Sequence, residues 1–255
     1  MNKSVDHPRF LAGQAAVVTG AARNLGRGIA TMLAARGASV LIHYHSDASR
    51  ADAEETARLV RAAGGEAELV QLDLASQQVG DALVERCNAR FGRLDILINN
   101  AGIIVKKPVA ELSDQDFEQC MAVNARAPFQ LMRAAARAMQ PGGRIVNVAT
   151  SILGCSFPFY SLYAASKATL EHMSRALAKE LAARSISANT IAPGALDTPF
   201  FYGGETRESA EAIRHFTGGL GQVSDVVPLV EFLVRPDAGW MSGQLLFVNG
   251  AFVAR

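Results

Sequence analysis

A tyrosine and a lysine one helical turn apart are the residues of this sequence with the clearest chemical potential. Of the four tyrosines, Tyr163 is the one with a lysine four residues later, Lys167. Residues four apart share a face of a helix, so we expect the Lys167 ammonium to lie near the phenol. A phenol has an ordinary pKa of about 10, and a nearby cation favours its ionised form. The pair therefore predicts proton transfer by Tyr163 near neutral pH; a half-buried core tyrosine beside a solvated lysine is the alternative.

A serine lies twelve residues before Tyr163, where a strand is expected to end. Ser151 closes the run that begins at Asn147, and doubly wound α/β folds place their ligands at this carboxyl edge of the sheet. Its hydroxyl can hold an oxygen atom of a substrate. Thr150 is the rival hydroxyl, and ordinary capping of the strand end is the alternative for both.

Three glycines lie between the first predicted strand and the first predicted helix, at positions 20, 26 and 28. In such a turn Gly20 permits a tight bend, Gly26 lets the backbone approach a pyrophosphate, and Gly28 lets helix and strand pack closely. The amino terminus of the helix would face the phosphates, because its free N–H groups carry partial positive charge. We interpret the segment as a dinucleotide site; an ordinary glycine-rich turn is the alternative.

The elements that must position these residues are seven short apolar runs, which alternate with segments of helical periodicity. The runs lack inside-outside alternation, so both sheet faces are expected to be covered, as in a parallel sheet. We predict an α/β fold with a doubly wound parallel sheet of about seven strands, the Rossmann type, with right-handed crossovers. The predicted strands are Ala15 to Thr19, Ser39 to Tyr44, Ala67 to Leu72, Leu94 to Ile98, Arg144 to Ala149, Ile186 to Ile191 and Leu245 to Val248.

No linker or change in composition interrupts this alternation in the 255 residues. We therefore predict a single domain over residues 1–255, with a substrate lid near 199–221, where several glycines bracket a polar helical piece.

The charge balance and cysteine content exclude several classes of protein. The chain has 25 Lys plus Arg against 24 Asp plus Glu, which argues against a nucleic-acid or membrane-surface partner. Cys87, Cys120 and Cys155 are too far apart to suggest a disulfide framework or a metal site. The segment from Met1 to Phe10 lacks an apolar export signal, and no apolar run reaches about 18 residues. We expect a cytoplasmic protein that binds a small molecule.

Together these features resemble the short-chain dehydrogenase/reductase family. The spacing of Gly20, Gly26 and Gly28 differs from G-x-G-x-x-G and is similar to the glycine turn of that family. Further landmarks extend the resemblance over essentially the whole chain. They are Asp73-Leu74, Asn99-Asn100-Ala101-Gly102, Tyr163-Ala164-Ala165-Ser166-Lys167 and Pro193-Gly194.

The resemblance implies four catalytic residues. A nicotinamide cofactor would deliver hydride to a carbonyl carbon, Tyr163 would protonate the carbonyl oxygen, and Ser151 would orient it. Lys167 would also hold the nicotinamide ribose. Asn124 would keep a backbone distortion and a water in place so that protons reach Lys167; asparagine is a poor helix former, which makes its mid-helix position notable.

The resemblance also implies a cofactor site along the glycine turn and the strand ends. Tyr44 stands where NAD-preferring folds carry a carboxylate, and Arg23 can contact a phosphate, so we predict NADP(H) over NAD(H). Alternatively Asp47 supplies the carboxylate and Arg23 is a solvated turn residue; Ser46 or Asp47 could also cap the next helix. The expected site comprises Gly20, Arg23, Asn24, Leu25, Gly26, Tyr44, His45, Ser46, Asp73, Leu74, Asn100, Ala101, Gly102, Tyr163, Lys167, Pro193, Gly194 and Thr198.

The resemblance implies an NADP(H)-dependent oxidoreductase that acts on a ketone or a secondary alcohol, with a 3-oxoacyl compound or related ketone as the predicted substrate. Aromatic residues in the expected pocket and lid favour an apolar or acyl substrate: Phe157, Phe159, Phe200, Phe201 and Phe216. An NAD-dependent dehydrogenase of a sugar or cyclic alcohol is a second possibility. A dinucleotide-sensing protein without turnover is a third, since fold does not determine function.

The resemblance further implies a homotetramer, with a dimer as the fallback. The predicted helix from Ser161 to Ala183 carries small residues suited to close packing between subunits: Ala164, Ala165, Ala168 and Ala176.

Overall fold

A seven-stranded parallel sheet forms the centre of the molecule, in the order β3-β2-β1-β4-β5-β6-β7. The computed structural model describes residues 9–217 and 219–254. Most of the segment from Met1 to Phe10, in which the sequence shows no export signal, therefore lies outside the described residues. The predicted doubly wound sheet is confirmed, and each predicted strand end lies within two residues of the observed one. The strands are β1 (Ala15–Val18), β2 (Ser39–Tyr44), β3 (Ala67–Gln71), β4 (Ile96–Asn99), β5 (Arg144–Val148), β6 (Ser187–Pro193) and β7 (Leu245–Val248).

Helices cover both faces of this sheet. In the described part of the chain, no helix is long and apolar enough to cross a membrane. The helices are α1 (Asn24–Ala35), α2 (Arg50–Ala62), α3 (Val79–Phe91), α4 (Asp114–Met121), α5 (Ala127–Ala138), α6 (Ser161–Glu180), α7 (Pro199–Tyr202), α8 (Arg207–Thr217) and α9 (Val223–Val234).

Strands β1 to β6 each contribute to two hydrophobic cores, which explains why their sequences are apolar at consecutive positions. Val18 of β1 packs in the core under α1 and α9, which includes Leu33 and Val230. Its neighbour Val17 points to the other face and packs with Leu83 of α3 and Leu131 of α5. Successive side chains of a strand alternate between faces, so burial on both sides requires a continuous apolar run.

The chain order reverses at the centre of the sheet, where β1 lies between β2 and β4. The connections from β1 and β4 therefore leave in opposite directions and open a crevice at their carboxyl ends. Thr19 and Gly20 follow β1 at this crevice, and Asn100 follows β4. The segment with α7 and α8 follows β6, so it belongs to the same edge of the sheet.

Candidate active site

A cavity of about 820 Å³ lies at the carboxyl edge of the sheet. It unites residues from the glycine turn, the ends of β2 to β6, helix α6 and the segment that carries α7 and α8. Three of the four predicted catalytic residues line it, namely Ser151, Tyr163 and Lys167, whereas Asn124 does not. Of the predicted cofactor residues, Ser46 does not line it. The predicted cofactor residues that line it are Gly20, Arg23, Asn24, Leu25, Gly26, Tyr44, His45, Asp73, Leu74, Asn100, Ala101, Gly102, Tyr163, Lys167, Pro193, Gly194 and Thr198.

Three polar side chains are buried side by side in the wall of this cavity. Tyr163 and Lys167 lie on the buried face of α6, and the Lys167 ammonium donates to the Val148 carbonyl at 2.8 Å. Ser151 begins the turn after β5, and its hydroxyl donates to the Ala192 carbonyl at 2.9 Å. The structure therefore brings together the residues that the sequence singled out for proton transfer and oxygen binding.

Burial controls the protonation of the tyrosine and the lysine. It raises the pKa of Tyr163 to about 12, although a hydrogen bond with the Thr150 side chain opposes the rise. It lowers the pKa of Lys167 to about 8. Removal from water is the main cause of the raised pKa of the phenol. The expectation that Lys167 and a bound oxidised nicotinamide bring this pKa toward neutrality stays a prediction. Tyr163 is therefore a neutral phenol at neutral pH, which is the form that can donate a proton.

Thr150, the rival of Ser151, has a different place in the site. Its hydroxyl bonds to the Tyr163 side chain and accepts weakly from the Ile152 N–H, at 3.4 Å. Both residues line the cavity. The Thr150 hydroxyl bonds to Tyr163, whereas the described bond of the Ser151 hydroxyl is to the Ala192 carbonyl.

Asn124 lies in a π-helical stretch, Ala122–Arg126, between α4 and α5. Its amide donates to the Ile103 carbonyl and accepts from the Ile103 N–H, both at 2.9 Å. It also donates to the Ser166 hydroxyl at 3.0 Å. Such local π-bulges occur frequently at functional sites, and this one is the backbone distortion that the resemblance implies. Asn124 thus ties the chain after β4 to α6 from behind the cavity wall.

Asn124 and Lys167 both pack against Gly102, although only Lys167 lines the cavity. A Cβ atom at Gly102 would lie 2.9 Å from the Lys167 nitrogen and 3.1 Å from the Asn124 oxygen. Both side chains therefore pack against the same short piece of backbone, and a larger residue there would displace the lysine.

The three glycines of the turn each have a different structural reason. Gly20 has a positive φ of 62°, as a tight bend requires. A Cβ atom at Gly26 would lie 2.4 Å from the Gly20 carbonyl oxygen, so Gly26 first of all lets the turn close on itself. At Gly28 it would lie 2.6 Å from Val223 of α9. The predicted packing of Gly28 against a strand is therefore wrong: the close contact is between two helices.

The amino terminus of α1 is suited to an anion. Its first turn contains no acidic residue, and within the described chain Arg23 at the N-cap makes no side-chain hydrogen bond to the helix. The first N–H groups of a helix need partners and carry partial positive charge. Since Arg23, Asn24 and Leu25 line the cavity, these groups are available to the phosphates of a dinucleotide.

The end of the cavity near β2 carries the residues predicted to choose between NADP(H) and NAD(H). Arg23 is 60% exposed and lies 3.8 Å from the Asp52 carboxylate, whose main partner is Arg27 at 3.2 Å. The guanidinium of Arg23 is therefore only loosely held. Tyr44 and His45 line the same end.

Ser46 and Asp47 are part of a turn and do not line the cavity. Ser46 accepts at its carbonyl from the Ser49 hydroxyl at 2.8 Å and donates its N–H to that hydroxyl at 3.3 Å. The alternative in which Asp47 supplies a ribose-binding carboxylate lacks support, since Asp47 begins the short helical turn instead. Ser49, rather than the predicted Ser46, lines the cavity. No motif in the sequence indicated this.

The sequence analysis also missed an ion pair at the other end of the cavity. The Lys106 ammonium lies 2.5 Å from the Glu205 carboxylate, and both residues line the cavity. No motif joins two residues so far apart in the chain. Nearby, Phe157 stacks on Phe252 with 5.6 Å between ring centroids. Of the predicted aromatic residues, Phe157, Phe159, Phe200 and Phe201 line the cavity, and the side chain of Phe216 lies outside the described part of the molecule.

Comparison with known proteins gives the same class of protein as this geometry. A family profile described as enoyl-(acyl carrier protein) reductase matches residues 20–252. A short-chain type dehydrogenase/reductase of Picea abies is 37% identical over 95% of this chain and 93% of the relative. An NADPH-dependent aldehyde reductase-like protein of Arabidopsis thaliana, described as chloroplastic, is 36% identical over 99% of both chains.

A solved structure is similar over nearly the same length. It is a protein of Burkholderia cenocepacia with bound NADP, with a TM-score of 0.93, 40% identity, and coverage of 98% of this chain and 97% of that chain. The chain thus belongs to the short-chain dehydrogenase/reductase family of oxidoreductases.

Proposed function

We propose that this protein is an NADP(H)-dependent carbonyl reductase that converts ketones to secondary alcohols. The observation that carries the proposal is the single cavity that joins an anion-binding helix terminus to Ser151, Tyr163 and Lys167. The NADP bound to the Burkholderia protein and the NADPH-dependence in the name of the Arabidopsis relative support the choice of cofactor. The loosely held Arg23, together with Tyr44 in place of a carboxylate, supports it from this chain's own residues.

The cofactor, when bound, supplies the hydride that reduces the carbonyl carbon. Ser151 orients the substrate by turning its hydroxyl from the Ala192 carbonyl toward the substrate oxygen. Tyr163, neutral because it is buried, donates its phenolic proton to that oxygen as negative charge develops there. The Thr150 hydroxyl stabilises the phenolate that remains. The Lys167 ammonium, one turn further along the buried face of α6, would add positive charge nearby.

The remaining residues position these groups. Asn124 fixes the chain around Ile103 and the Ser166 turn of α6, so that Lys167 keeps its place behind Gly102. Lys167 would hold the nicotinamide ribose, and Thr198, which caps α7, the nicotinamide amide. The segment 199–221 would act as the lid over the substrate.

The finer parts of the proposal concern the substrate and the setting. Phe157, Phe159 and the Phe252 ring form an apolar wall beside Tyr160, which suits a 3-oxoacyl compound or a related ketone. The homotetramer and the cytoplasmic location stay predictions.

Steady-state assays test the proposed reaction. Ketones and secondary alcohols are screened with NADPH and NADH, and cofactor binding is measured by calorimetry. We expect turnover of at least one ketone and tighter binding of NADPH than of NADH. Equal or tighter binding of NADH would contradict the cofactor assignment. Cofactor binding without turnover of any ketone or alcohol would identify a dinucleotide-sensing protein instead.

The variant Tyr163→Phe tests the proton donor, since it removes the hydroxyl and keeps the ring. We expect kcat/KM for an accepted ketone to fall by about 10² to 10⁴, the usual contribution of a positioned acid, with unchanged NADPH affinity. Tyr202→Phe removes a phenolic hydroxyl that is exposed and lies outside the cavity lining, so its effect on kcat/KM should be far smaller than that of Tyr163→Phe. Near wild-type reduction by Tyr163→Phe would show that Tyr163 is not the acid.

A further inference from the structure

An ion pair forms part of the cavity wall. The Lys106 ammonium lies 2.5 Å from the Glu205 carboxylate, and the two side chains are 19% and 3% exposed. The Ser209 hydroxyl donates to the same carboxylate oxygen. The ammonium also lies 5.0 Å from the centre of the Tyr160 ring. Lys106, Glu205, Ser209 and Tyr160 all line the cavity.

The position of the pair assigns it to the substrate rather than to the cofactor. Tyr160 lies beside Tyr163, with 6.3 Å between ring centroids. Lys106 is thus one aromatic ring away from the proposed proton donor, in a region lined by Phe159 and the residues of α8. The contacts described for Lys106 and Glu205 are with each other, with Ser209 and with Tyr160, and none of them involves the glycine turn, where the cofactor is expected to bind.

The pair also joins two segments that the fold holds independently. Lys106 follows β4, whereas Glu205 lies between α7 and α8. Next to it, a Cβ atom at Gly204 would lie 3.2 Å from the Ile104 side chain, so the two segments touch without space between them. The geometry therefore holds the ammonium and the carboxylate together at a fixed place in the cavity wall.

The charges of this wall cancel, and that determines which substrates it accepts. A carboxylate that entered would face Glu205, and an ammonium would face Lys106; either would have to separate a buried pair, which leaves an uncompensated charge. An uncharged hydroxyl or carbonyl can bond to the pair without changing its net charge. Rejection of the wrong charge is a common route to specificity.

We propose that Lys106 and Glu205 are specificity-determining residues, which select uncharged ketones that carry a hydroxyl or carbonyl group remote from the reacting carbon and reject ketones that carry a carboxylate there. This inference rests on the proposed reductase function. It adds the substrate class that the apolar wall alone does not define.

The test compares matched ketones with the NADPH-bound enzyme. Methyl para-acetylbenzoate is the uncharged ester of the anionic para-acetylbenzoate. Para-acetylbenzyl alcohol carries a hydroxyl group where para-ethylacetophenone carries a methyl group of similar size. We expect the wild type to prefer the ester over the acid by about tenfold or more in kcat/KM, a usual penalty for juxtaposed like charges. We also expect it to prefer the alcohol over the ethyl compound.

Variants of the pair should change these ratios in opposite directions. Glu205→Gln leaves Lys106 unbalanced, so the acid-to-ester ratio should rise about tenfold. Lys106→Met leaves Glu205 unbalanced, so the ratio should fall further. The double variant should lose the preference for the hydroxyl compound. Glu85→Gln is the matched control, since Glu85 is exposed on α3, outside both the cavity lining and the segment 199–221.

The outcomes separate this inference from the proposed function. Turnover of the ester with an unchanged acid-to-ester ratio in Glu205→Gln would overturn the role of the pair and leave the reductase intact. Absence of turnover with every ketone would contradict the proposed function and remove the inference with it. NADPH affinity, measured for each variant, reports folding; if Glu205→Gln loses it, the ratios of Lys106→Met and of the double variant decide.

Discussion

His43 shows how one buried side chain holds the glycine turn in place. Its Nδ1 accepts the Gly20 N–H at 3.1 Å, and its Nε2 lies 2.8 Å from the Leu72 carbonyl oxygen. Both bonds form together when the imidazole is neutral and carries its proton on Nε2. Burial lowers the pKa of His43 from 6.5 to about 4, which favours this state. The ring thus connects the ends of β1, β2 and β3 in the wall of the cavity.

The lowered pKa of His43 predicts a loss of stability in acid. Between pH 6.5 and about 4 the unfolded chain binds a proton at this residue that the folded chain does not, so the free energy of unfolding falls as the pH falls. We expect His43 to account for a loss of about 2 kcal/mol between about pH 7.5 and about pH 4.5. Urea unfolding at both pH values measures it.

The variant His43→Gln isolates this contribution, because its amide can still accept from Gly20 and donate to Leu72 but does not titrate in this range. Its loss of stability in acid should be smaller than that of the wild type by the same amount. His45→Gln is the control, since His45 is 68% exposed. An equal loss in wild type and His43→Gln would show that other groups cause the acid sensitivity.

At the scale of whole elements, two helix crossings depend on glycine for different reasons. A Cβ atom at Gly80 of α3 would lie 2.2 Å from the Gln130 carbonyl oxygen of α5, which is backbone and cannot turn away. At Gly28 of α1 it would meet the ends of Val223 and Val227, at 2.6 and 3.2 Å. A side chain can give way where a backbone cannot, so the two crossings should tolerate an added methyl group unequally.

We therefore predict that Gly80→Ala destabilises the protein more than Gly28→Ala. We expect losses of about 3 kcal/mol and about 1 kcal/mol in the free energy of unfolding, after the gain in helix propensity is included. Denaturant unfolding of both variants measures the difference. Val223→Ala should offset part of the cost of Gly28→Ala and none of the cost of Gly80→Ala. Equal losses would mean that α3 and α5 can move apart.

These crossings also show where sequence analysis succeeds and where it stops. The strands are predictable because a strand that is buried on both faces needs apolar residues at consecutive positions, as in the central part of Ser39–Tyr44. The partner of Gly28 is not, because α9 lies near the other end of the chain. The ion pair of Lys106 and Glu205 could not be predicted either, because the two residues are also far apart in the chain. For Tyr163 the spacing identified the neighbour but not the degree of burial, and burial decides its pKa.

Two large apolar side chains, Trp240 and Phe232, are exposed in the part of the chain that precedes the edge strand β7. Trp240, the single tryptophan of the sequence, is fully exposed between α9 and β7, and Phe232 of α9 is 42% exposed. Large exposed apolar side chains commonly mark an interface, and tryptophan is enriched at such surfaces. The predicted homotetramer or dimer would give these residues a partner, a second copy of the chain.

Because Trp240 is the single tryptophan, its fluorescence reports directly on assembly. If subunits associate through this surface, the tryptophan emission of the native protein should be blue-shifted. It should move to the red when dilution dissociates the oligomer and exposes the ring. Light scattering should show an oligomer for wild type and for Trp240→Phe, and a smaller mass for Trp240→Glu, since a buried carboxylate without a partner opposes association. Trp240 lies outside the cavity lining, so Trp240→Glu should retain NADPH binding. A monomer with red-shifted emission at every concentration would contradict assembly, and an oligomer that Trp240→Glu leaves intact would place its interface elsewhere on the molecule.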